Sequence, residues 1–445
     1  MKRIVVIGGG FAGLAAAAAA ARRLDEAGAS APDVKITLIN RDSWHGIRVR
    51  AYEQDLSDTR VALADVLDPI GAELVVGEVS AIDAAARTAR IGPDRTLAYD
   101  RLVLAAGSSL QIPDIPGLAR HAFSVDTYDE GERLNQHVAG LGRRPASPGR
   151  DTVVVVGAGL TGIEAACEMP EKLKRGGVRG GRVIIADAAP HIGSNMGDEA
   201  RTVIEKALSD LGIEMRPGIR VEAADAGGVT LSGGERIATE TLVWAGGMRA
   251  SPLAAMLPVE RDRFGRLPVD EFMRVKGVDG VFAAGDIAAA ILDGTHASVM
   301  SCQHGRPMGR FAGTNAAADL LGLAMLPLRI ENYVTCLDLG PWGALYTEGW
   351  DRRVALSGAA AKKIKQTINR VRIYPPRSRN RREILDARDR GDEGRRGGDP
   401  RDRDPVLRVR RHEGLRRHRG CPRRRRHHRA GATADRKRTR LNSSH

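Results

Sequence analysis

An apolar strand-like run, the pattern Gly-x-Gly-x-x-Gly and an alanine-rich helical run occur in succession twice in this sequence, 149 residues apart. The first copy is Arg3-Ile4-Val5-Val6-Ile7 leading into Gly8-Gly9-Gly10-Phe11-Ala12-Gly13. The second is Thr152-Val153-Val154-Val155-Val156 leading into Gly157-Ala158-Gly159-Leu160-Thr161-Gly162. In such a strand–turn–helix unit the first glycine permits the tight turn, the second admits a pyrophosphate, and the third lets helix and strand pack closely. The pyrophosphate then lies at a helix N-terminus, where unpaired N–H groups and the helix dipole favour anions. Two such loops in one chain point to two dinucleotides that meet, an arrangement suited to passing electrons.

With 445 residues the chain can build two or three domains, each with its own core. Its net charge of +14 is unevenly placed. Residues 377–445 hold 25 Lys and Arg against 10 Asp and Glu, which leaves 44 against 45 for residues 1–376. A nucleic-acid partner is therefore not expected for the body. Cys167, Cys302, Cys336 and Cys421 form no paired spacing, so neither a redox dithiol nor a metal site is indicated. The apolar run after Met1-Lys2-Arg3 is broken by the glycine pattern and leads into a second strand, unlike a signal peptide. No apolar stretch reaches the ~20 residues that span a bilayer. A cytoplasmic protein is expected.

Periodicity predicts a helix over 14–24, a strand over 34–39, and short strands over 75–83 and 97–100. The run Arg101–Ser108 is an apolar strand ending in small residues. Pro113, Pro116 and Gly117 mark a linker. A second unit then repeats the first: strand 152–156, helix 160–174, strand 182–186, and a closing run Thr241–Gly247 that echoes Leu102–Gly107. The expected fold is α/β, with two Rossmann-like three-layer nucleotide-binding domains, the second inserted in the first. The divisions are 1–117 and 251–325 for the outer domain, 118–250 for the inserted one, 326–376 for a C-terminal segment, and 377–445 for a basic tail. At the end of the second strand of each unit stand Asn40 and Asp187. A carboxylate there accepts hydrogen bonds from ribose hydroxyls and repels a 2′-phosphate, so Asp187 favours NADH over NADPH. A loop-capping role for Asp187 is the alternative.

With Gly280-Val281-Phe282-Ala283-Ala284-Gly285-Asp286 after both fingerprints, the chain resembles the FAD-dependent pyridine nucleotide oxidoreductases, and within them the type II NADH dehydrogenases (NADH:quinone oxidoreductases). The resemblance covers about residues 1–380. It implies FAD held by Gly8, Gly10, Phe11, Ala12 and Gly13 at the pyrophosphate and Asn40 near the ribose. Val79 would lie by the adenine, Ala106 and Gly107 by the flavin, and Gly285 and Asp286 at the ribityl chain. It implies NADH at Gly157, Gly159, Thr161, Gly162 and Asp187, with Gly246 and Gly247 lining the cleft and Glu164 beside the nicotinamide. It also implies hydride transfer from NADH to the flavin and onward transfer to a quinone, a homodimer, and peripheral contact with the inner face of the cell membrane.

The family carries Ala-Gln-x-Ala-x-Gln-Gln in the helix expected over 298–320, whose N-terminus could face the flavin. Here the stretch reads Cys302-Gln303-His304-Gly305-Arg306-Pro307-Met308. Gln303 matches, while Pro307 and Met308 replace the later glutamines and Pro307 removes a helix hydrogen bond. Gln303 and His304 are the acceptor-side candidates, Glu164 and Gln303 the expected catalytic residues. The departure leaves room for a soluble NADH:acceptor reductase with a non-quinone oxidant, or an NADH-responsive flavoprotein sensor. Near 358–372, Ile364, Ile368 and Val371 form a stripe flanked by Lys362, Lys363, Lys365, Arg370 and Arg372. Such a stripe fits a bilayer surface and the body of the protein equally. The arginine-dense tail from Arg377, closing on Asp435–His445, resembles out-of-frame translation ending in a sequencing adaptor and is expected to be disordered.

Overall fold

The repeated pattern builds two sheets of the same order. The computed structural model describes residues 1–29 and 33–387. In the first sheet, strand Lys2–Ile7 is central and parallel to Val34–Asn40 on one side and Arg101–Leu104 on the other. Glu73–Val76 and Val281–Ala283 complete the two edges, again parallel. Because the last strand comes after the entire second unit, the second unit is an insertion. Helix α1 (Phe11–Glu26) follows the first strand and buries Leu14, Ala16, Ala17 and Ala20 in the same core as Ile4, Val6, Leu38 and Leu102. Sequence places this helix over 14–24; it begins three residues earlier because Gly10 already holds the capping position.

The run expected over 75–83 is two strands. Its first half belongs to the parallel sheet and its second, Val79–Asp83, pairs antiparallel with Thr88–Ile91. The break falls at Gly77, where a Cβ would sit 2.5 Å from Ile91 Cγ2.

The inserted unit contains α2 (Tyr128–Gly140), α3 (Leu160–Arg175) and α4 (Asp198–Asp210). Its sheet runs Ala122–Phe123, Thr241–Trp244, Thr152–Val156, Arg182–Asp187, Ile213–Pro217, all parallel. A three-stranded antiparallel sheet accompanies each unit, at residues 79–98 and 221–238. The two units are joined where Ser108–Leu110 pairs antiparallel with Met248–Ala250.

The chain then returns to the first unit through α5 (Cys302–Leu321), which lies against α1. Glycine permits the closeness: a Cβ on Gly309 would be 2.0 Å from the Ala12 carbonyl oxygen, and one on Gly313 2.0 Å from that of Ala16. The helix starts at Cys302, not Ser298, because Ser301 caps it and Ser298 bonds to Ala288 and Ala290 in the preceding turn. Pro307 sits inside this helix without ending it.

A meander of Val334–Asp338, Ala344–Glu348 and Arg353–Ser357 follows. Next come α6 (Gly358–Thr367), one π turn (Ile368–Arg372) and α7 (Arg381–Asp386). The π turn puts the stripe out of phase: Ile364 is buried, whereas Val371 is 55% exposed. Helix α7 packs Ile384 into the first core, so the ordered body runs past the boundary expected at Arg377. The tail from residue 388, including the adaptor-like end, lies outside the described residues. Among the described residues, no helix is long and apolar enough to cross a membrane.

Candidate active site

The two glycine loops superpose in every constraint that sequence can impose. Gly8 has φ +106° and Gly157 φ +103°, the region that favours glycine. Gly8 N–H donates to Ile39 O and Gly157 N–H to Ala186 O, each at 2.8 Å. A Cβ on Gly13 would stand 1.7 Å from Gly8 O, and one on Gly162 the same distance from Gly157 O. A Cβ on Gly10 or Gly159 would meet nothing within 4 Å. Both of these glycines precede helices without a side-chain cap, so the first N–H groups of α1 and α3 are left for an anion.

A cleft of about 1120 Å³ connects the first loop with the N-terminal end of α3. Of the residues expected at the site, Gly8, Gly10, Phe11, Ala12, Asn40, Ala106, Gly107, Thr161, Glu164, Gly285, Asp286 and Gln303 line it. Gly13 lies beneath Gly8. Val79, 8% exposed, is outside the lining. Gly157, Gly159, Gly162, Asp187, Gly246 and Gly247 belong to the second loop and its neighbouring turn, also outside that lining.

The two strand-end side chains perform the same local task. Asn40 Oδ1 accepts from Gly9 N–H at 2.8 Å, and Asp187 Oδ2 accepts from Ala158 N–H, the matching position of the second loop. Asn40 Nδ2 donates back to Asp42, so both ends of its amide serve the loop itself. Asp187 Oδ1 accepts from Ala189 N–H at 2.7 Å. The loop-capping role is thus present, and each carboxylate oxygen keeps a lone pair for a further donor. Asp286 accepts from Ser108 Oγ at 2.6 Å, and burial pushes its carboxyl up.

Glu164, expected beside the nicotinamide, is anchored within the protein. Its Oε1 accepts from Lys365 Nζ at 2.7 Å and from Asp338 N–H at 3.0 Å, with both charged side chains under 10% exposed. Burial pushes the Glu164 carboxyl up, and the lysine and the N–H pull it back. The same contact holds the Lys365 ammonium above its ordinary range. At 2.7 Å the contact favours an ion pair at neutral pH. Lys365, expected on a surface stripe, therefore points inward, as does Lys362, which pairs with Asp338. Among the described residues Cys167, Cys302 and Cys336 are free; burial pushes the Cys336 thiol up to about 12 and raises that of Cys302.

On the acceptor side, Cys302 and Gln303 place the start of α5 at the cleft. Oriented to suit its neighbours, the Gln303 amide donates to Val334 O at 2.7 Å and accepts from Val334 N–H at 3.1 Å. It joins α5 to the meander. His304 is fully buried outside the cleft lining; its Nδ1 accepts from Val299 N–H at 3.0 Å, and burial lowers it to about 4. Met308 is 1% exposed in the core, so its replacement of glutamine leaves the cleft wall unaltered. Sequence gave no sign of His45, 1% exposed, whose Nδ1 donates to Gly9 O at 2.9 Å. Nor did it mark Arg48, which bridges Asp126 and Ser108 where the units join. A lone histidine or arginine carries no local pattern.

The model of the pyridine nucleotide-disulphide oxidoreductase family matches residues 2–309. A NADH dehydrogenase-like protein of Mycobacterium tuberculosis is 55% identical over 391 residues, covering 87% of this chain and 98% of that protein. A type II NADH:quinone oxidoreductase of the same organism is 32% identical over 320 residues, 64% of this chain and 66% of its own length. Among solved structures, the sulfide:quinone oxidoreductase of Aquifex aeolicus matches with a TM-score of 0.71 at 18% identity, covering 87% of this chain and 93% of that one, a likeness of fold. The chain belongs to the pyridine nucleotide-disulphide oxidoreductase family, among its NADH dehydrogenase-like enzymes.

Proposed function

We propose that this enzyme is an FAD-dependent NADH oxidoreductase that delivers electrons to a quinone. The family implies a flavin and a pyridine nucleotide. The observation that carries the reading is the pair of uncapped helix N-termini that follow the two glycine loops, with Phe11 of α1 and Thr161 of α3 lining the same cleft. Each suits a pyrophosphate, so the residues present fit two dinucleotides. A bound flavin supplies hydride acceptance and onward electron release. The chain's own contribution is positioning. Gly8–Ala12 and Gly285–Asp286 hold one dinucleotide, the Gly157–Gly162 loop and Asp187 the other. The Glu164–Lys365 pair keeps a fixed, buried wall between them.

NADH is favoured because Asp187 offers a carboxylate where a 2′-phosphate would lie. Quinone is favoured by the resemblance to type II NADH:quinone oxidoreductases. Met308 and Pro307, which replace the family's glutamines, are both buried outside the cleft lining. A lipid-borne quinone would call for peripheral membrane contact, for which Val371 beside Arg370 and Arg372 is the exposed surface. Steady-state NADH oxidation with a soluble quinone, ferricyanide and oxygen compared side by side tests the proposal. Preference for the quinone supports it; equal use of all three acceptors overturns the quinone assignment.

A further inference from the structure

The family pattern and both fingerprints end before residue 310, yet the cleft has a wall from much later in the chain. Ile373, Tyr374, Pro375, Pro376, Arg377 and Ser378 line the same cleft as Gly8–Ala12. This segment is tied down along its length. Tyr374 OH donates to Asp58 O at 2.6 Å, and Arg50 Nη1 donates to that hydroxyl at 2.5 Å. Arg377 pairs with Asp58 at 2.8 Å, Arg379 with Asp65 and, at 3.5 Å, with Asp68, and Arg381 with Asp25 at 2.7 Å. Beyond them α7 buries Ile384 at 3% exposure, and Arg22 Nη1 donates to Leu385 O at 3.2 Å. All the anchoring carboxylates belong to the first unit.

We infer that Ile373–Ala387 is a strap forming the third wall of the flavin dinucleotide site, and that the dinucleotide leaves only when the strap lifts. The inference rests on flavin held at Gly8–Ala12 and Gly285–Asp286, as proposed above. Proline at 375 and 376 stiffens the crossing, since neither residue can be drawn into a helix or sheet ladder. The anchors are arginine–aspartate pairs with side chains 39–59% exposed. Each is individually weak and screened by salt, so the hold comes from several acting on one short segment. Retention of the cofactor should then depend on ionic strength.

The test uses the full chain, purified with flavin and diluted into flavin-free buffer at low and high salt, with released flavin followed by its fluorescence. Arg379→Glu with Arg381→Glu should speed release roughly five- to tenfold at low salt. In the unaltered protein high salt should speed release in the same direction. Adding Asp65→Arg and Asp25→Arg to the double variant, which restores opposite charges, should bring the rate back. A release rate that is unchanged in the double variant overturns the inference. So does a rate that stays high after the charges are exchanged, which would mark a general loss of fold. Should the unaltered protein bind no flavin, the proposed function itself fails, an outcome distinct from flavin bound and held without the strap.

Discussion

Replacing Lys365 with methionine removes one partner from a buried ion pair that ties the C-terminal segment to the inserted unit. Lys365 lies on α6 and Glu164 on α3, 201 residues apart in sequence, with 2.7 Å between Nζ and Oε1 and 8% and 9% of the side chains exposed. Breaking such a pair leaves a buried carboxylate with only the Asp338 N–H to satisfy it, a cost of about 3–5 kcal/mol. Glu164→Gln alone leaves the ammonium facing a neutral amide and the Cys336 carbonyl, and should cost a similar amount. The double variant removes both charges and should be less destabilised than the sum of the singles by about 2–4 kcal/mol. Urea unfolding of the flavin-saturated full chain at neutral pH, followed by circular dichroism, measures all four corners of the cycle. The sign of the pH dependence follows from Lys365 being held above its ordinary range. On the alkaline side the Lys365 contribution is fully present below about pH 10, the unfolded value, and is lost only as pH reaches the folded one; on the acid side the pair ends where Glu164, its carboxyl pushed up by burial, takes a proton. A coupling under about 0.5 kcal/mol would refute the reading of Glu164 and Lys365 as a buried, ionised pair.

Other expectations follow from single contacts. Asp187→Ala should raise the KM for NADH roughly tenfold and narrow its advantage over NADPH; unchanged kinetics with both cofactors would remove Asp187 from the ribose site. Gly309→Ala places a methyl where the Ala12 carbonyl oxygen stands, forcing α1 and α5 apart at a cost on the order of 1–3 kcal/mol, which the same urea titration reads. His45 and His304 are both buried neutral and lowered from 6.5 to about 4. The unfolded chain therefore binds more protons, and stability present above pH 6.5 should be lost as pH falls toward 4, by about 3 kcal/mol for each histidine. His304→Gln should remove one proton from that dependence, and a dependence identical to the unaltered protein's would contradict the assignment.

What sequence makes legible here is what neighbouring residues decide together. The glycine loops, their flanking strands and the duplication are local patterns, and each reappears in the structure within a few residues. Helix and strand ends moved where one side chain decides them: Ser301 caps α5, and Gly77 splits a run that looks continuous. The contacts that sequence missed join distant segments. Lys365 looks like one more surface lysine until the fold brings its ammonium to Glu164 on α3, and the π turn after it breaks the helical spacing that suggested an apolar stripe. Arg377, Arg379 and Arg381 look like the start of a featureless basic tail because their partners are Asp58, Asp65 and Asp25, more than 300 residues earlier. Met308 departs from the family's pattern, but only the packing of α5 on α1 reveals that it faces the core.

A flavin held at Gly8–Ala12 should accept hydride from NADH held by the second loop. Anaerobic titration of the purified full chain with NADH, followed by visible absorbance, tests it most directly. The expected result is a yellow protein whose flavin band bleaches with about one equivalent of NADH and far less readily with NADPH. Protein that carries no flavin and takes none up, or a bound flavin that NADH leaves oxidised, would contradict it.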